Sequence, residues 1–206
     1  MSDGAERDNA GAIERLRAAI DAAQTGGGAP LVDELEEERL APLTAKANRL
    51  IEQRDRSVGE LRRRLRDSLG EGDDPALVET VIGRCLRSGM LEDARFAGEW
   101  VRQRSRNQRK SVAVLRRELR EKNVDDRVID EALTQVSEDE QEQNLRELVT
   151  KKAGTVKTVP ADRRDYDRAL RRIVGVAARR GFPQGVSLTA ARQALDDRIA
   201  ELGGSR

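Results

Sequence analysis

Between Val101 and Arg120 the chain carries eight basic residues and one acid: Arg102, Arg104, Arg106, Arg109, Lys110, Arg116, Arg117 and Arg120 against Glu118. A second run, Arg54 to Arg66, holds six bases, Arg62, Arg63 and Arg66 among them, against Asp55 and Glu60. Side chains of this kind do ionic rather than covalent work, binding phosphates or an acidic protein surface. On a helix, Arg62 with Arg66 and Arg116 with Arg120 are like-charge pairs four residues apart, each unfavourable by roughly 0.2–0.5 kcal/mol. Two readings stand side by side. The cations form a binding surface on outward helix faces, or they are a solvated face inherited by duplication.

Covalent chemistry finds no support. Histidine is absent, which removes the commonest general base and metal ligand. Cys85 is the only cysteine, so neither a disulfide nor a cysteine-rich zinc site can form within one chain. It falls on the apolar side of a helical pattern and reads as a buried, inert thiol. Gly26-Gly27-Gly28 is followed by Ala-Pro rather than by a helix-starting lysine, so it is no phosphate loop. The acids fall in solvent-facing helical runs, with no nucleophile beside a positioned base. The expectation is a protein that is not an enzyme and takes no cofactor or metal.

The elements that must carry the cations repeat. Ser57-Val58-Gly59-Glu60-Leu61-Arg62-Arg63-Arg64-Leu65-Arg66 returns 54 residues later as Ser111-Val112-Ala113-Val114-Leu115-Arg116-Arg117-Glu118-Leu119-Arg120, with seven identities in ten positions. Each copy opens on a serine placed to cap a helix and continues with apolar residues at helical spacing. A fainter echo, Leu170-Arg171-Arg172-Ile173-Val174, adds Arg171 and Arg172 to the candidate basic face. Self-similarity at a fixed period signals stacked supersecondary units.

Composition agrees. The 39 basic and 38 acidic residues nearly cancel to a net charge of +1, and charged residues make up 37% of the chain. Such a chain suits helices that bury one narrow stripe and solvate the rest. With four aromatics, Phe96, Trp100, Tyr166 and Phe182, it has too few for a nucleic-acid stacking platform. No run is long and apolar enough to span a membrane, and no hydrophobic signal core opens the chain, so a cytoplasmic protein is expected.

No stretch alternates with period two. The pattern predicts an all-α fold of tandem three-helix repeats stacked into an elongated, curved arc. Residues 1–42, with ten acids against four bases, read as an acidic, largely disordered extension. Repeats follow over 43–92, 93–136 and 137–202. Ser57 with Glu60, and Ser137 with Glu140, form capping boxes. Asp74-Pro75 and Asp93 open further helices. Leu61, Leu65, Leu115 and Leu119 are core positions. Phe96 and Trp100, four residues apart, read as core rings and natural wedges between the first two repeats, with the Trp100 indole also free to meet a partner.

Gly89-Met90-Leu91-Glu92-Asp93-Ala94-Arg95-Phe96-Ala97, the Ser111–Arg120 stretch and Val128-Ile129-Asp130-Glu131-Ala132-Leu133 together resemble the RecX family of RecA regulators. The likeness runs over roughly residues 43–200 and is strongest from 89 to 133. It implies a small cytoplasmic protein that binds RecA recombinase in the groove of its filament on single-stranded DNA. There it would inhibit ATP hydrolysis, strand exchange and co-protease action on the SOS repressor. A monomer is expected. The family has no compact active-site motif to carry over, so the candidate contact residues rest on charge. The rival reading is a helical protein that binds single- or double-stranded DNA without the recombinase.

Overall fold

The structure, a computed structural model, describes residues 30–204. These residues form nine helices and no strand: α1 (Pro30–Gln53), α2 (Val58–Arg66), α3 (Ala76–Arg87), α4 (Asp93–Gln108), α5 (Val112–Glu121), α6 (Asp126–Leu133), α7 (Glu138–Ala153), α8 (Arg163–Arg179) and α9 (Gln184–Gly204). The chain divides into two compact units, one running to Arg54 together with Leu61–Arg87, the other comprising Asp55–Glu60 together with Ser88 onward.

In the first unit, α1 packs on α3. Leu40, Leu43 and Ala47 are buried at helical spacing, as are Val78, Val81, Ile82 and Cys85 of α3. Leu61 and Leu65 of α2 are fully enclosed. Helix therefore begins at Pro30 rather than at Leu43, where order was expected; the rest of the expected acidic extension lies outside the described residues. The acid-rich stretch looks like a solvated tail because only one side of it is apolar. Leu40 supplies that side, and Glu37 is tied to Arg84 by a two-point ion pair. Pro42 sits inside the helix on its exposed face, where the carbonyl left without a donor can turn to water.

The second unit holds two apolar clusters. One gathers Phe96, Ala97, Val101, Leu115, Leu119, Val124, Ile129 and Leu133 from α4, α5 and α6. The other gathers Leu145, Val149, Leu170, Ile173, Ala177, Phe182, Ala191 and Leu195 from α7, α8 and α9. Burying a ring such as Phe96 stabilises the fold by roughly 2–3 kcal/mol.

Serine and aspartate caps start the helices. The Glu60 N–H donates to Ser57 Oγ at 3.0 Å, the Val114 N–H to Ser111 Oγ at 3.4 Å and the Glu140 N–H to Ser137 Oγ at 3.1 Å. Asp74 accepts from the Ala76 N–H at 2.9 Å. Asp93 is the exception. Glu92 holds the cap position of α4 without a side-chain bond, and the Asp93 carboxylate instead accepts the Val58 N–H at 2.8 Å. A tertiary partner has taken the acid from its local one.

Two of these serines do more than cap. The Ser111 hydroxyl also donates to the Gly181 carbonyl at 2.8 Å, and the Ser111 N–H donates to the Arg180 carbonyl at 2.9 Å. The start of α5 is thereby seated on the turn that ends α8. Gly181 has φ +84°, and a Cβ there would lie 2.2 Å from Val114 Cγ2. Ser57 repeats the arrangement at the turn ending α5, its hydroxyl donating to the Lys122 carbonyl. The next residue, Asn123, has φ +55°, and here the glycine stands on the opposite side: a Cβ on Gly59 would lie 2.4 Å from Asn123 Cβ. One small residue per contact lets the backbones close.

Polar contacts extend the α8–α5 seat to α7. Gln141 accepts the Val112 N–H at 2.9 Å, Asn144 donates to Ser105 at 3.3 Å, and Ser105 donates to Glu140 at 3.2 Å.

Gly181→Ala should lower stability by about 2 kcal/mol or more, because it adds a left-handed backbone cost to a steric one. Gly98→Ala, in the interior of α4 with nothing within 4 Å of the added Cβ, should raise stability by about 0.5–1 kcal/mol. Thermal unfolding of the two variants beside the parent checks both signs.

Candidate functional site

The expected basic residues fall into three groups. The first has turned inward. Arg104 lies with its guanidinium carbon 3.3 Å from the centroid of the Trp100 ring, and Lys122 approaches the same ring at 5.3 Å. Glu118, the lone acid of the basic run, accepts the Trp100 indole N–H at 3.2 Å. It also pairs with Arg104 at 3.3 Å and with Lys110. Burial pushes the Arg104 guanidinium below its ordinary pKa, and the Glu118 charge works against that shift. Stacking of a cation on an indole is worth about 0.5–2 kcal/mol. Arg104 therefore holds α4 against α5, Lys110 ties the connection between them to α5, and the indole's polar edge is satisfied within the chain.

The second group is matched by carboxylates. Arg62 and Arg66 of α2 share Glu79 of α3 at 3.0 and 2.7 Å. On α5, Arg120 pairs with Asp126 of α6 at 2.7 Å and Arg116 with Asp130. The same solution appears in both repeats: acids on the third helix relieve the like-charge arginines of the second. Arg117 reaches Glu121 at 3.8 Å, Arg109 pairs with Glu147 at 2.5 Å, and Arg102 pairs with Glu99. Hydrogen bonding from Arg120 holds the Asp126 carboxyl below the usual carboxylate range, and Arg109 does the same for Glu147. Exposed pairs of this kind add little to stability, because water and salt screen them and holding two long side chains in one geometry costs entropy.

The third group is Arg63, Arg106, Arg171 and Arg172. All four are exposed, and none makes an ion pair among the described residues. They come from the second helix of the first and third repeats and from α4. Arg117, reaching its acid only at 3.8 Å, is the nearest to them in availability.

Sequence reasoning missed the partners of the second group and the role of Glu118. A single acid inside a run of eight bases, with Trp100 and Arg104 four residues apart, was the available signal. Cys85 is buried, and burial raises its thiol pKa. Among the described residues no cluster of three or more His, Cys, Asp or Glu side chains is placed to hold a metal. No helix there is long and apolar enough to cross a membrane.

Comparison with known proteins points one way. The family description "RecX, second three-helix domain" matches residues 93–133. A Corynebacterium efficiens protein named regulatory protein RecX is 42% identical over 200 residues, covering 95% of this chain and 93% of its own. The Amycolatopsis mediterranei protein of the same name is 40% identical over 152 residues, covering 74% and 82%. In fold, the chain is similar to the crystal structure of RecX from Lactobacillus salivarius, with TM-score 0.61 and 19% identity over 77% of this chain and 97% of that one. A second crystal structure of regulatory protein RecX gives TM-score 0.58 at 16% identity, covering 81% and 76%.

Glu118→Ala leaves the Trp100, Arg104 and Lys110 donors without their shared acceptor and should cost about 1–3 kcal/mol, read by urea unfolding on the emission of Trp100, the one tryptophan. Acid should weaken the surface pairs in a definite window. A carboxyl whose folded pKa is lowered adds stability above its unfolded pKa and loses it as pH falls through the folded value. Asp126→Asn combined with Glu147→Gln should flatten the acid limb of a stability profile, and an unchanged limb would exclude these two pairs from it.

Proposed function

The chain belongs to the RecX family of regulatory proteins, and from that premise we propose that it binds RecA recombinase and its filament on single-stranded DNA, restraining ATP hydrolysis, strand exchange and co-protease activity. The kinship that spans nearly the whole chain carries this reading. Charge supports it. Arg63, Arg106, Arg171 and Arg172 are exposed cations available to an acidic groove or to phosphates, and Arg117 can join them with little loss of its long pair.

The mechanism is occupancy. A helical body lying against the filament excludes DNA partners and repressor, and it opposes whatever subunit movement accompanies ATP turnover. Several contacts, each weak alone, act together because the first raises the effective concentration of the next. Inhibition then follows from tighter binding to one filament state than to another, in proportion to the difference in affinity.

Free DNA as the primary ligand is the alternative, favoured by the same unpaired cations. It predicts affinity falling steeply with salt, with a logarithmic slope near −0.9 per phosphate neutralised on duplex and near −0.7 on single strands.

Recombinase ATP turnover on single-stranded DNA, titrated with this protein, should fall in a saturating manner. A variant with Arg63, Arg106, Arg171 and Arg172 all changed to Ala should keep its helix content and need at least about tenfold more protein for half inhibition. These four are preferred to Arg116 and Arg120, because reversing the latter would set new acids against Asp126 and Asp130 and loosen α5 from α6. Unchanged turnover, together with tight salt-sensitive binding to bare DNA, would transfer the function to the alternative.

A further inference from the structure

The third repeat contains a cavity that its apolar core leaves open. It lies beside the loop joining α7 to α8, with a volume of about 390 Å³. Lys152 from α7, Lys157 and Thr158 from the loop, and Arg168 and Arg172 from α8 line it, with Asp165 as the one carboxylate. Its floor is apolar, formed in part by Val156 and the buried Ile173. This is the size of a small-molecule pocket rather than of a packing defect.

Its charges are unbalanced. Arg168 pairs with Asp165 at 3.4 Å. Among the described residues no carboxylate pairs with Lys152, Lys157 or Arg172. The Lys157 ammonium has only the Gly154 carbonyl, at 3.5 Å. Lys152 is half-buried, so its stem is held against the cavity wall while its charge has no counter-charge from the described residues. Repulsion among such groups is relieved by an anion and aggravated by a metal ion.

The loop is also held in place. The Val156 N–H donates to the Ala153 carbonyl at 2.8 Å, and the Thr155 hydroxyl to the Lys152 carbonyl at 2.7 Å. From α9, Arg198 Nε donates to the Val156 carbonyl at 3.1 Å. Three bonds on one short turn preorganise the cavity wall, so little ordering is left for a ligand to impose.

We propose that this cavity binds phosphate groups. A guanidinium offers phosphate a two-pronged set of donors, lysines add point charges, and the Thr158 hydroxyl can donate one further bond. The phosphate can come from a nucleic-acid strand or from a free polyphosphate, and the chemistry of the pocket is the same for both. Lys152 and Lys157 play no part in the recombinase reading, so the two ideas fail separately.

Calorimetric titration of the full chain with inorganic pyrophosphate, with 5′-phosphorylated oligothymidylate and with the same strand lacking that phosphate tests this. Saturable binding of at least one probe is expected, weakened about tenfold or more in the Lys152→Ala, Lys157→Ala double variant at unchanged melting temperature. Lys157→Glu, at an exposed loop position, should weaken binding in the same direction and serves if the double variant unfolds. Binding of pyrophosphate alone assigns a free polyphosphate. A requirement for the 5′ group assigns a strand end, and equal binding of both strands assigns the backbone. No saturable heat from any probe at millimolar concentration, or affinity unaffected by both variants, would overturn the proposal.

Discussion

The structure of the second unit depends on one hydroxyl group used twice over. Ser111 accepts the Val114 N–H and donates to the Gly181 carbonyl, so the end of α5 that needs an acceptor and the turn that offers one are satisfied together. A helix start has orphan donors and a helix end has orphan carbonyls. Bringing the two ends together through serine satisfies a donor of one and a carbonyl of the other. The geometry admits no bulk at the contact, which is why Gly181 faces Val114 and Gly59 faces Asn123. The glycine has changed sides between the two contacts, yet the clearance is preserved. The constraint belongs to the pair, not to either residue.

The rest of the surface follows from how few apolar residues the chain has. With 37% of its residues charged, the helices cannot cover one another fully, and the charges must tolerate close neighbours. They do so by opposition across helices. Glu79 stands against Arg62 and Arg66, while Asp126 and Asp130 stand against Arg120 and Arg116. Each pair adds little stability, but each cancels a local repulsion. A run of arginines is therefore weaker evidence for a binding face than its count suggests, and Arg104 and Lys110 spend their charge on Glu118 and Trp100 inside the repeat.

Local chemistry was legible in the sequence. Ser57, Asp74, Ser111 and Ser137 all cap where their spacing placed them, and Leu61, Leu65, Leu115, Leu119 and Phe96 are all buried. These follow from residues within one or two turns of each other. What failed required a distant partner. Asp93 left the cap position for the Val58 N–H, which no window around residue 93 contains. The beginning of α1 was hidden because Glu37 finds its complement on α3, in Arg84, and nothing in the residues around it announces that pair. The candidate site was half legible for the same reason: the list of cations is sequence information, but which of them remain available is decided by acids on other helices.

That distinction narrows the set of cations left open at the surface. Of the expected site residues, Arg63, Arg106, Arg171 and Arg172 are the ones exposed without an ion pair among the described residues. Each is a point charge that water and salt screen. Contacts of this sort are individually weak and collectively sensitive to spacing and salt. The paired arginines act differently: Arg116 and Arg120 join α5 to α6 and so fix the helix that carries Arg117, which reaches its own acid only at 3.8 Å.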